Sequence, residues 1–277
     1  MTTTDTQSHT EQSALAALKA KQHGIWSSGD YNRIAALTVP VAERLVEVAD
    51  PRPNDRVLDV ATGTGHAALA AARRFCDVTG VDYVSGLVDI AGRRAAAEDL
   101  EVRFADGDAE DLAFADESFD VVLSAIGVMF TADHDRAAGE LLRVCRQGGR
   151  IALASWTPEG FVGQMLRTVG RHVSPPPAAK PATRWGSAEA LTELLGAAAT
   201  VRTERGTASQ RFLSPEHFVD FFLTYYGPTY KAYRALGADA GEALRRDLVE
   251  LARASNRALD GSLKLEWEYL VAIATKH

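Results

Sequence analysis

Aspartates and glycines between residues 57 and 108 recur at spacings that suit the binding of a nucleoside. The run VLDVATGTG, residues 57–65, is followed by Asp82 and then by Asp108 in an Asp-Gly-Asp triplet. Gly63 and Gly65 would let the backbone approach a ligand closely, because glycine has no Cβ atom. Asp82 is placed to accept hydrogen bonds from both hydroxyls of a ribose, and Asp108 could accept one from an exocyclic adenine amine. We therefore predict a nucleoside-type cofactor in this part of the chain.

The carboxylate of Asp59 helps to choose among nucleoside cofactors. A dinucleotide places its pyrophosphate at a helix N-terminus and usually requires three closely spaced glycines. Here an acidic residue precedes the loop, which suits a cationic ligand better than a diphosphate. The pattern Gly63-x-Gly65-x-x-Ala68 nevertheless fits the looser dinucleotide fingerprint, so a nicotinamide-dependent oxidoreductase is an alternative. A second alternative is a non-catalytic scaffold that keeps the cofactor pocket.

The residues around this run alternate between strand-like and helix-like patterns. Strands are predicted over residues 56–61, 77–81, 100–104, 119–124 and 151–155, and helices over residues 66–75, 85–98 and 135–146. The glycine pair at 148–149 is typical of a helix C-terminus. Strands that alternate with helices predict βαβ units and a parallel sheet covered on both faces. The candidate binding residues follow these strands and would meet at one edge of the sheet.

The chain before the first strand predicts a tail and a lid. Residues 1–12 carry no apolar period and are expected to form a disordered tail. Residues 13–54 contain helical patterns, including an amphipathic one over 40–49, and are interpreted as an N-terminal helical lid. A Pro-rich linker is predicted at 174–181, because proline cannot sit inside a regular element.

The remainder of the chain, residues 55–277, is expected to form one domain. Strands predicted over 200–212 and 263–275 enclose an aromatic-rich helical insertion at about 214–260. We predict an α/β fold with a Rossmann-like, seven-stranded, mostly parallel sheet, helices on both faces and an antiparallel last strand. Extra helices would lie at the N-terminus and between the last strands, where the insertion is expected to cap the pocket as a substrate cover.

Three motifs resemble those of class I S-adenosylmethionine-dependent methyltransferases. Residues 57–65 resemble the glycine-rich first motif, FDVV at 119–122 resembles the fourth-strand motif, and RQGGR at 146–150 resembles the turn into the fifth strand. The resemblance covers about residues 55–156 and is nearest to the small-molecule, ubiquinone- and menaquinone-biosynthesis-like group. Ala61 departs from the commonest pattern, which has a glycine there.

This resemblance implies S-adenosyl-L-methionine as the cofactor and assigns residues to its parts. They are Asp59, Ala61, Thr62, Gly63 and Gly65 around the methionine part, Asp82 at the ribose, Tyr83 against the adenine ring, Asp108 and Ala109 at the adenine edge, and Ser124 on the sulfonium side. Trp26 and Tyr31, in WSSGDYN, would belong to a lid of the kind that similar methyltransferases close over the cofactor. Alternatively, these two aromatic residues pack on the core.

The substrate and catalytic residues are predicted from their positions along the chain. Phe130, Trp156, Phe222 and Tyr226 are candidates for binding a substrate, and the alternative is that these aromatic side chains belong to the core. His134 follows the fourth strand by ten residues and is the candidate general base, since histidine has a pKa near neutral pH. The alternative is that His134 belongs to a polar helix cap.

Composition and charge exclude several other functions. The 277 residues are 46% hydrophobic and carry a formal charge of −7, without a long Lys/Arg run, so nucleic acid is an unsuitable partner. Two cysteines and the absence of a ligand-spaced histidine pair predict no metal site. No apolar run is long enough for a membrane partner.

We therefore expect a cytoplasmic enzyme that methylates an oxygen, nitrogen or carbon atom of a small, partly apolar organic molecule such as a secondary metabolite or a quinone-like compound. The sequence leaves the oligomeric state open, with a homodimer as one alternative.

Overall fold

The computed structural model describes the backbone of residues 3–176 and 179–277, and the side chains of residues 13–176 and 179–277. The helices are α1 (Thr3–Trp26), α2 (Tyr31–Ala35), α3 (Val39–Ala49), α4 (His66–Ala72), α5 (Ser85–Ala97), α6 (His134–Val144), α7 (Phe161–His172), α8 (Ala188–Leu195), α9 (Pro215–Tyr225), α10 (Gly227–Ala235) and α11 (Ala238–Ala254). The strands are β1 (Arg56–Val60), β2 (Asp77–Asp82), β3 (Val102–Asp106), β4 (Phe119–Ala125), β5 (Cys145–Trp156), β6 (Ala199–Phe212) and β7 (Leu263–Lys276). Short 3-10 turns cover Ala36–Thr38, Val128–Phe130 and Ala182–Gly186.

The described strands build the predicted sheet. Across residues 3–176 and 179–277, seven strands form one sheet in the order β3-β2-β1-β4-β5-β7-β6. Strands β1 to β5 pair in parallel, whereas β7 runs antiparallel to both of its neighbours, β5 and β6. This arrangement confirms the predicted Rossmann-like fold with its antiparallel last strand. The strand order reverses beside β1, so the carboxyl ends of β1 and β4 open a crevice of the kind where α/β sheets bind ligands.

The central strands are apolar on both faces, which is why they lie in the middle of the sheet. Val57, Leu58 and Val60 of β1 and the segment 121–123 of β4 are fully buried. Helix α4, with the sequence HAALAAA, packs against this part of the sheet. Its small alanine side chains allow the helix axis to approach the strands closely, so the loop that joins β1 to α4 is held between two well-packed elements.

The segment between α6 and β5 differs from the prediction. Helix α6 ends at Val144 and β5 already begins at Cys145, so the glycine pair 148–149 lies in the strand and does not end the helix. Gly148 has a φ of +67°, and the register between β4 and β5 shifts at this point. A glycine in the left-handed region serves a helix end and an irregular strand equally well, so its position alone did not distinguish the two.

The start of the chain also differs from the prediction. Helix α1 begins at Thr3, although residues 1–12 were expected to form a tail. Polar residues without an apolar repeat give no periodic signal, yet the backbone of this stretch continues the helix that follows it. Met1 and Thr2 of the predicted tail, and Pro177 and Ala178 of the predicted linker, lie outside the described residues.

The helical insertion connects the end of β6 to the start of β7, which lie side by side at one end of a two-stranded antiparallel ribbon. Strands β6 and β7 pair along their full length, from Ala199 opposite Lys276 to Phe212 opposite Leu263. The helices α9, α10 and α11 lie between these two strands, as the sequence predicts. The Ser214 hydroxyl accepts a hydrogen bond from the His217 N–H at 3.1 Å and so caps the N-terminus of α9.

The insertion packs against the N-terminal helices. The Asp30 N–H donates to the Tyr225 carbonyl at 3.1 Å, and the rings of Trp26 and Tyr226 lie 5.8 Å apart. Gly227 approaches α1 so closely that a Cβ atom there would lie 2.2 Å from the Ile25 carbonyl oxygen. The insertion therefore packs against α1 and α2 and helps to hold these two helices in place. None of the helices in the described ranges combines the length and apolar character that crossing a bilayer requires.

The close approach of Gly227 to α1 can be tested by adding one methyl group. Gly227→Ala should lower the free energy of unfolding by about 1–3 kcal/mol, because the backbone of α1 must move away. The matched control is Gly237→Ala, since nothing lies within 4 Å of a Cβ atom at that position. Urea denaturation followed by circular dichroism measures both variants. Equal stability of the two would contradict the tight contact between α1 and α10.

Candidate active site

A cavity opens at the carboxyl ends of the first four strands. Its volume, including the open solvent at the mouth, is about 910 Å³. The loops after β1, β2, β3 and β4 form its floor and walls, and α1 and α2 form its roof. Among the described residues that line it, none belongs to the insertion at 214–260, so the predicted substrate cover lies behind the roof and not over the cavity itself.

The loop after β1 reverses the chain sharply beneath the cavity. Ala61, Gly63 and Gly65 have φ values of +53°, +54° and +85°, all in the left-handed region. For a residue with a Cβ atom this conformation costs roughly 1–2 kcal/mol, which explains why glycine is the commoner residue at position 61. Gly127, in the loop after β4, faces Ala61 and makes room for it, because a Cβ atom at 127 would lie 2.6 Å from that of Ala61.

Asp59 lies buried at the end of β1 and lines the cavity. Its Oδ2 atom accepts hydrogen bonds from the Thr62 hydroxyl at 2.5 Å and from the Ala68 N–H at 3.0 Å, so it ties the loop to the start of α4. Within the described part of the chain, no donor reaches its Oδ1 atom. Burial raises the pKa of this carboxyl from 3.8 to about 7, because water no longer solvates the charge.

Asp82 ends β2 and faces the same cavity. It accepts hydrogen bonds from the Gly63 N–H and the Val84 N–H, each at 2.9 Å, and burial raises its pKa. A carboxylate offers about four lone-pair positions, so it retains acceptors for further donors. Tyr83 lines the cavity beside it, and the ring of His23 in α1 meets the Tyr83 ring edge-on at 5.3 Å.

Two further carboxylates and one lysine lie at the end of the cavity formed by the loop after β3. Asp108 and Ala109 line this end as the resemblance implies, and Glu110 lines it as well. Lys19 reaches down from α1 and forms ion pairs with Asp108 and Glu110. The sequence analysis missed both Lys19 and Glu110. The spacing of Lys19, three and seven residues before Gln22 and Trp26, was the available signal, since it puts these side chains on one helical face.

Aromatic rings form the roof at the other end. Trp26 meets the rings of Tyr31 and Phe130 at centroid distances of 5.4 and 4.8 Å, and all three side chains line the cavity. A Cβ atom on Gly63 would lie 3.4 Å from the Tyr31 ring, so this ring covers the glycine-rich loop. Trp26 and Tyr31, predicted to belong to a lid, and Phe130, predicted to bind a substrate, therefore all lie at the cavity, and these roles stay predictions.

His66 is a further cavity residue that the sequence analysis missed. It begins α4 directly after the glycine-rich loop, and its Nε2 atom lies 3.4 Å from the Thr64 hydroxyl and 3.5 Å from Arg94. Burial and the nearby Arg94 charge lower its pKa to about 4, against a contribution from the Ala35 carbonyl that favours the proton. The ring is therefore neutral at physiological pH and joins the roof to the loop.

Comparison with known proteins agrees with this geometry. A family of methyltransferase domains matches residues 58–153. The uncharacterised protein Rv1405c of Mycobacterium tuberculosis is 41% identical over 281 aligned positions, which cover 99% of each chain. A demethylmenaquinone methyltransferase of Deinococcus radiodurans is 37% identical over 52% of this chain and 62% of its own. The chain belongs to the class I S-adenosylmethionine-dependent methyltransferases.

A solved structure supports the fold of this methyltransferase. The YcgJ protein of Bacillus subtilis superposes with a TM-score of 0.59 at 20% sequence identity, and the match covers 85% of this chain and 97% of YcgJ. The family assignment replaces both alternatives that the sequence left open, the nicotinamide-dependent oxidoreductase and the non-catalytic scaffold.

The residues of the methyltransferase cavity fit S-adenosylmethionine. The unpaired Oδ1 atom of Asp59 is a buried acceptor that needs a donor, and an α-ammonium group would supply one. Asp82 offers the charged acceptor that ribose hydroxyls use, and the left-handed turn at Gly63 leaves room for a ligand above the backbone. Asp108, in the loop after β3, lines the same cavity as Asp82.

Gly65 and Ser124 are absent from the described lining of the cavity, although both were predicted to bind the cofactor. Gly65 shapes the turn into α4, where a Cβ atom would lie 3.0 Å from that of Ala91. Ser124 is fully buried; its hydroxyl donates to the Val60 carbonyl at 2.7 Å and accepts from the Val128 N–H at 3.1 Å. These two residues hold the loops that reach the cavity and do not face it.

The predicted substrate residues Trp156, Phe222 and Tyr226 form an aromatic cluster behind the roof. Trp267 of β7 lies 5.7 Å from Trp156 and 5.9 Å from Phe222, and the Phe222 ring lies 5.5 Å from that of Tyr226. None of the three belongs to the described cavity lining, so the core alternative is the correct one for them. The cluster extends to Trp26 and supports it from the side of the insertion.

The prediction that His134 acts as a general base is corrected by its position. His134 is 1% exposed, packs edge-on against Trp185 at 5.8 Å, and is not part of the described cavity lining. Burial lowers its pKa to about 4. The loop after β4 turns through a 3-10 segment that directs Phe130 to the cavity. The neighbouring Asp133 caps α6, which agrees with the capping alternative.

The raised pKa of Asp59 predicts a trade between stability and cofactor affinity. Unfolded Asp59 ionises near pH 3.8 but folded Asp59 near pH 7, so the folded protein loses stability as the pH rises through this range. Asp59→Asn removes that loss and should be more stable than the wild type by roughly 2–4 kcal/mol at pH 8, with a smaller difference at pH 5. It should bind S-adenosylhomocysteine more weakly, because the ammonium group loses a charged acceptor.

Denaturation at several pH values and calorimetry measure these two effects. The control is Asp89→Asn, since Asp89 is exposed on α5 and lies outside the cavity lining. A stability difference that does not change between pH 5 and pH 8 would refute the assigned pKa.

Proposed function

We propose that the protein transfers the methyl group of S-adenosylmethionine to a small, partly apolar organic molecule, such as a secondary metabolite or a quinone-like compound. One observation carries the proposal. The cavity combines a row of carboxylates, Asp59, Asp82 and Asp108, along one wall with an aromatic roof above the loop end. The carboxylates suit the polar groups of the cofactor, and the rings suit an apolar acceptor.

The walls next to the roof support an uncharged substrate. Trp26, Phe130 and Ile126 line this part of the cavity together with Ala125 and Thr131. Among the described lining residues, the carboxylates lie at the ends of β1 and β2 and in the loop after β3, His66 begins α4, and Lys19 lies at the opposite end. Offset or edge-on contacts with aromatic rings favour a planar apolar molecule. The similarity to a demethylmenaquinone methyltransferase over half of the chain is consistent with a quinone-like acceptor.

Positioning and the exclusion of water supply the acceleration in this proposal. When bound, the cofactor supplies an electrophilic methyl group on a positively charged sulfur. The chain contributes the loop that orients the ligand and the rings that exclude water from the reacting atoms. Burial and the Arg94 charge lower the pKa of His66 to about 4, so its ring is a weak proton acceptor, and it contacts Thr64 and Arg94 between the roof and the loop. This arrangement suits an oxygen, nitrogen or carbon acceptor that is already nucleophilic.

Cofactor binding through Asp82 is the first test of the proposal. The wild type should bind S-adenosylhomocysteine in calorimetry, and Asp82→Asn should bind at least about tenfold more weakly, since two ribose hydroxyls lose a charged acceptor. The control is Asp77→Asn at the other end of β2, where the side chain is 51% exposed and pairs with Arg103. Unchanged affinity in a folded Asp82→Asn protein would refute the ribose assignment. Failure of the wild type to bind would refute the proposed function.

The aromatic roof is tested with methyl acceptors. Transfer of a labelled methyl group to a naphthoquinol, a catechol and a short charged amine should favour the planar uncharged compounds. Trp26→Leu should lower kcat/KM for the preferred acceptor by about tenfold or more, because the ring that covers it is lost. Phe75→Leu is the control, since Phe75 is 79% exposed and lies outside the cavity lining. Preference for the charged amine would contradict the proposed substrate class.

A further inference from the structure

Helix α1 presents one continuous face to the cavity. Lys19, Gln22 and Trp26 line the cavity and follow one another at spacings of three and four residues. Seven residues of helix span about 10 Å. This face therefore reaches from the acidic end of the cavity, at Asp108 and Glu110, to the aromatic end, at Trp26 and Phe130. Lys19 lies over the carboxylates after β3, and Trp26 lies against Phe130. One rigid element therefore contacts both ends of the site.

At the acidic end, Lys19 binds a carboxylate that the backbone already holds in place. Glu110 is 6% exposed, and its Oε1 atom accepts hydrogen bonds from the Ala132 N–H at 2.7 Å and the Asp133 N–H at 3.1 Å. Its Oε2 atom accepts from Lys19 Nζ at 3.1 Å, and the ammonium also pairs with Asp108 Oδ2. The backbone thus holds Glu110 in place, and Lys19 supplies the positive charge that this buried carboxylate needs.

Lys19 carries the electrostatic part of the contact between α1 and the strand-end loops. Across the described ion pairs, those that join α1 to these loops are the two made by Lys19. The next contact along the helix is the edge-on approach of the His23 and Tyr83 rings. The Lys19 side chain is about 29% exposed, so it is partly shielded from water and its ion pairs are stronger than those of a fully exposed lysine.

Resting on the proposed function, we propose that Lys19 is a positioning residue. Its ion pairs with Asp108 and Glu110 hold α1 over the end of the cavity that would take the adenosine of the cofactor, which we call the adenosyl end. They thereby couple cofactor binding to the placement of Trp26 over the methyl acceptor. Lys19 and an adenine amine would share Asp108, and a carboxylate oxygen can accept from both. A cofactor bound at the adenosyl end would then hold α1 more firmly. Because Trp26 lies on the same rigid helix, its ring would also be held more firmly at the aromatic end.

Calorimetry on the full-length protein with S-adenosylhomocysteine tests the role of Lys19. Lys19→Met should weaken binding by about fivefold or more, and Lys19→Arg should restore it to within about twofold of the wild type. The matched control is Lys21→Met, which removes the same charge from an exposed position two residues further along α1. Raising the salt concentration should weaken binding to the wild type more than to Lys19→Met, since salt screens the ion pairs that the variant lacks.

Hydrogen exchange distinguishes positioning from a general effect on stability. In the wild type and in Lys21→Met, the ligand should slow exchange of the amides of residues 13–26, and this protection should be lost in Lys19→Met. Lys19→Met should have a lower thermal midpoint than Lys21→Met, because the buried Glu110 carboxylate loses its partner, so affinity and exchange are measured at a temperature at which both variants are folded. If Lys19→Met matches Lys21→Met in both affinity and protection, the proposal is overturned. Absence of binding by the wild type would instead refute the proposed function on which it rests.

Discussion

The turn between β1 and α4 is the constraint on which the rest of the site depends. Asp59 joins its two ends through one carboxylate oxygen, which accepts from the Thr62 hydroxyl and the Ala68 N–H. The left-handed residues between them raise the backbone of the loop toward the cavity. Each neighbouring loop is then placed relative to this turn: Asp82 binds the Gly63 N–H, and Gly127 fits against the Ala61 side chain.

Burial of carboxylates at this turn has an electrostatic cost that their hydrogen bonds to Thr62, Ala68, Gly63 and Val84 offset only in part. Asp59 and Asp82 both have raised pKa values because they are removed from water, and neither forms an ion pair in the described structure. Such groups destabilise the fold and are typical of binding sites, where pKa values shift. At the opposite end, Lys19 compensates Asp108 and Glu110, so the two ends of the cavity balance their charge in different ways.

The roof shows how distant parts of the chain cooperate. Helices α1 and α2 cover the cavity, but their position is set by the insertion between β6 and β7, which follows them by about two hundred residues. Tyr225 binds the Asp30 N–H, Gly227 accommodates the Ile25 carbonyl, and Tyr226 supports Trp26. A segment outside the cavity lining therefore decides where α1 and α2 lie.

The sequence by itself determined the parts of this protein that are local. The order of strands and helices, the glycine-rich turn and the aspartates at the ends of β1, β2 and β3 follow from periodicity and from motifs within a few residues of one another. Only the tertiary structure decided which aromatic residues face the cavity, why His134 lies against Trp185 and His66 in the site, and that Lys19 reaches Glu110. The physical reason is that these contacts join residues separated by tens to hundreds of positions. Packing between elements selects the side of each helix that turns inward, and no local sequence pattern encodes that packing.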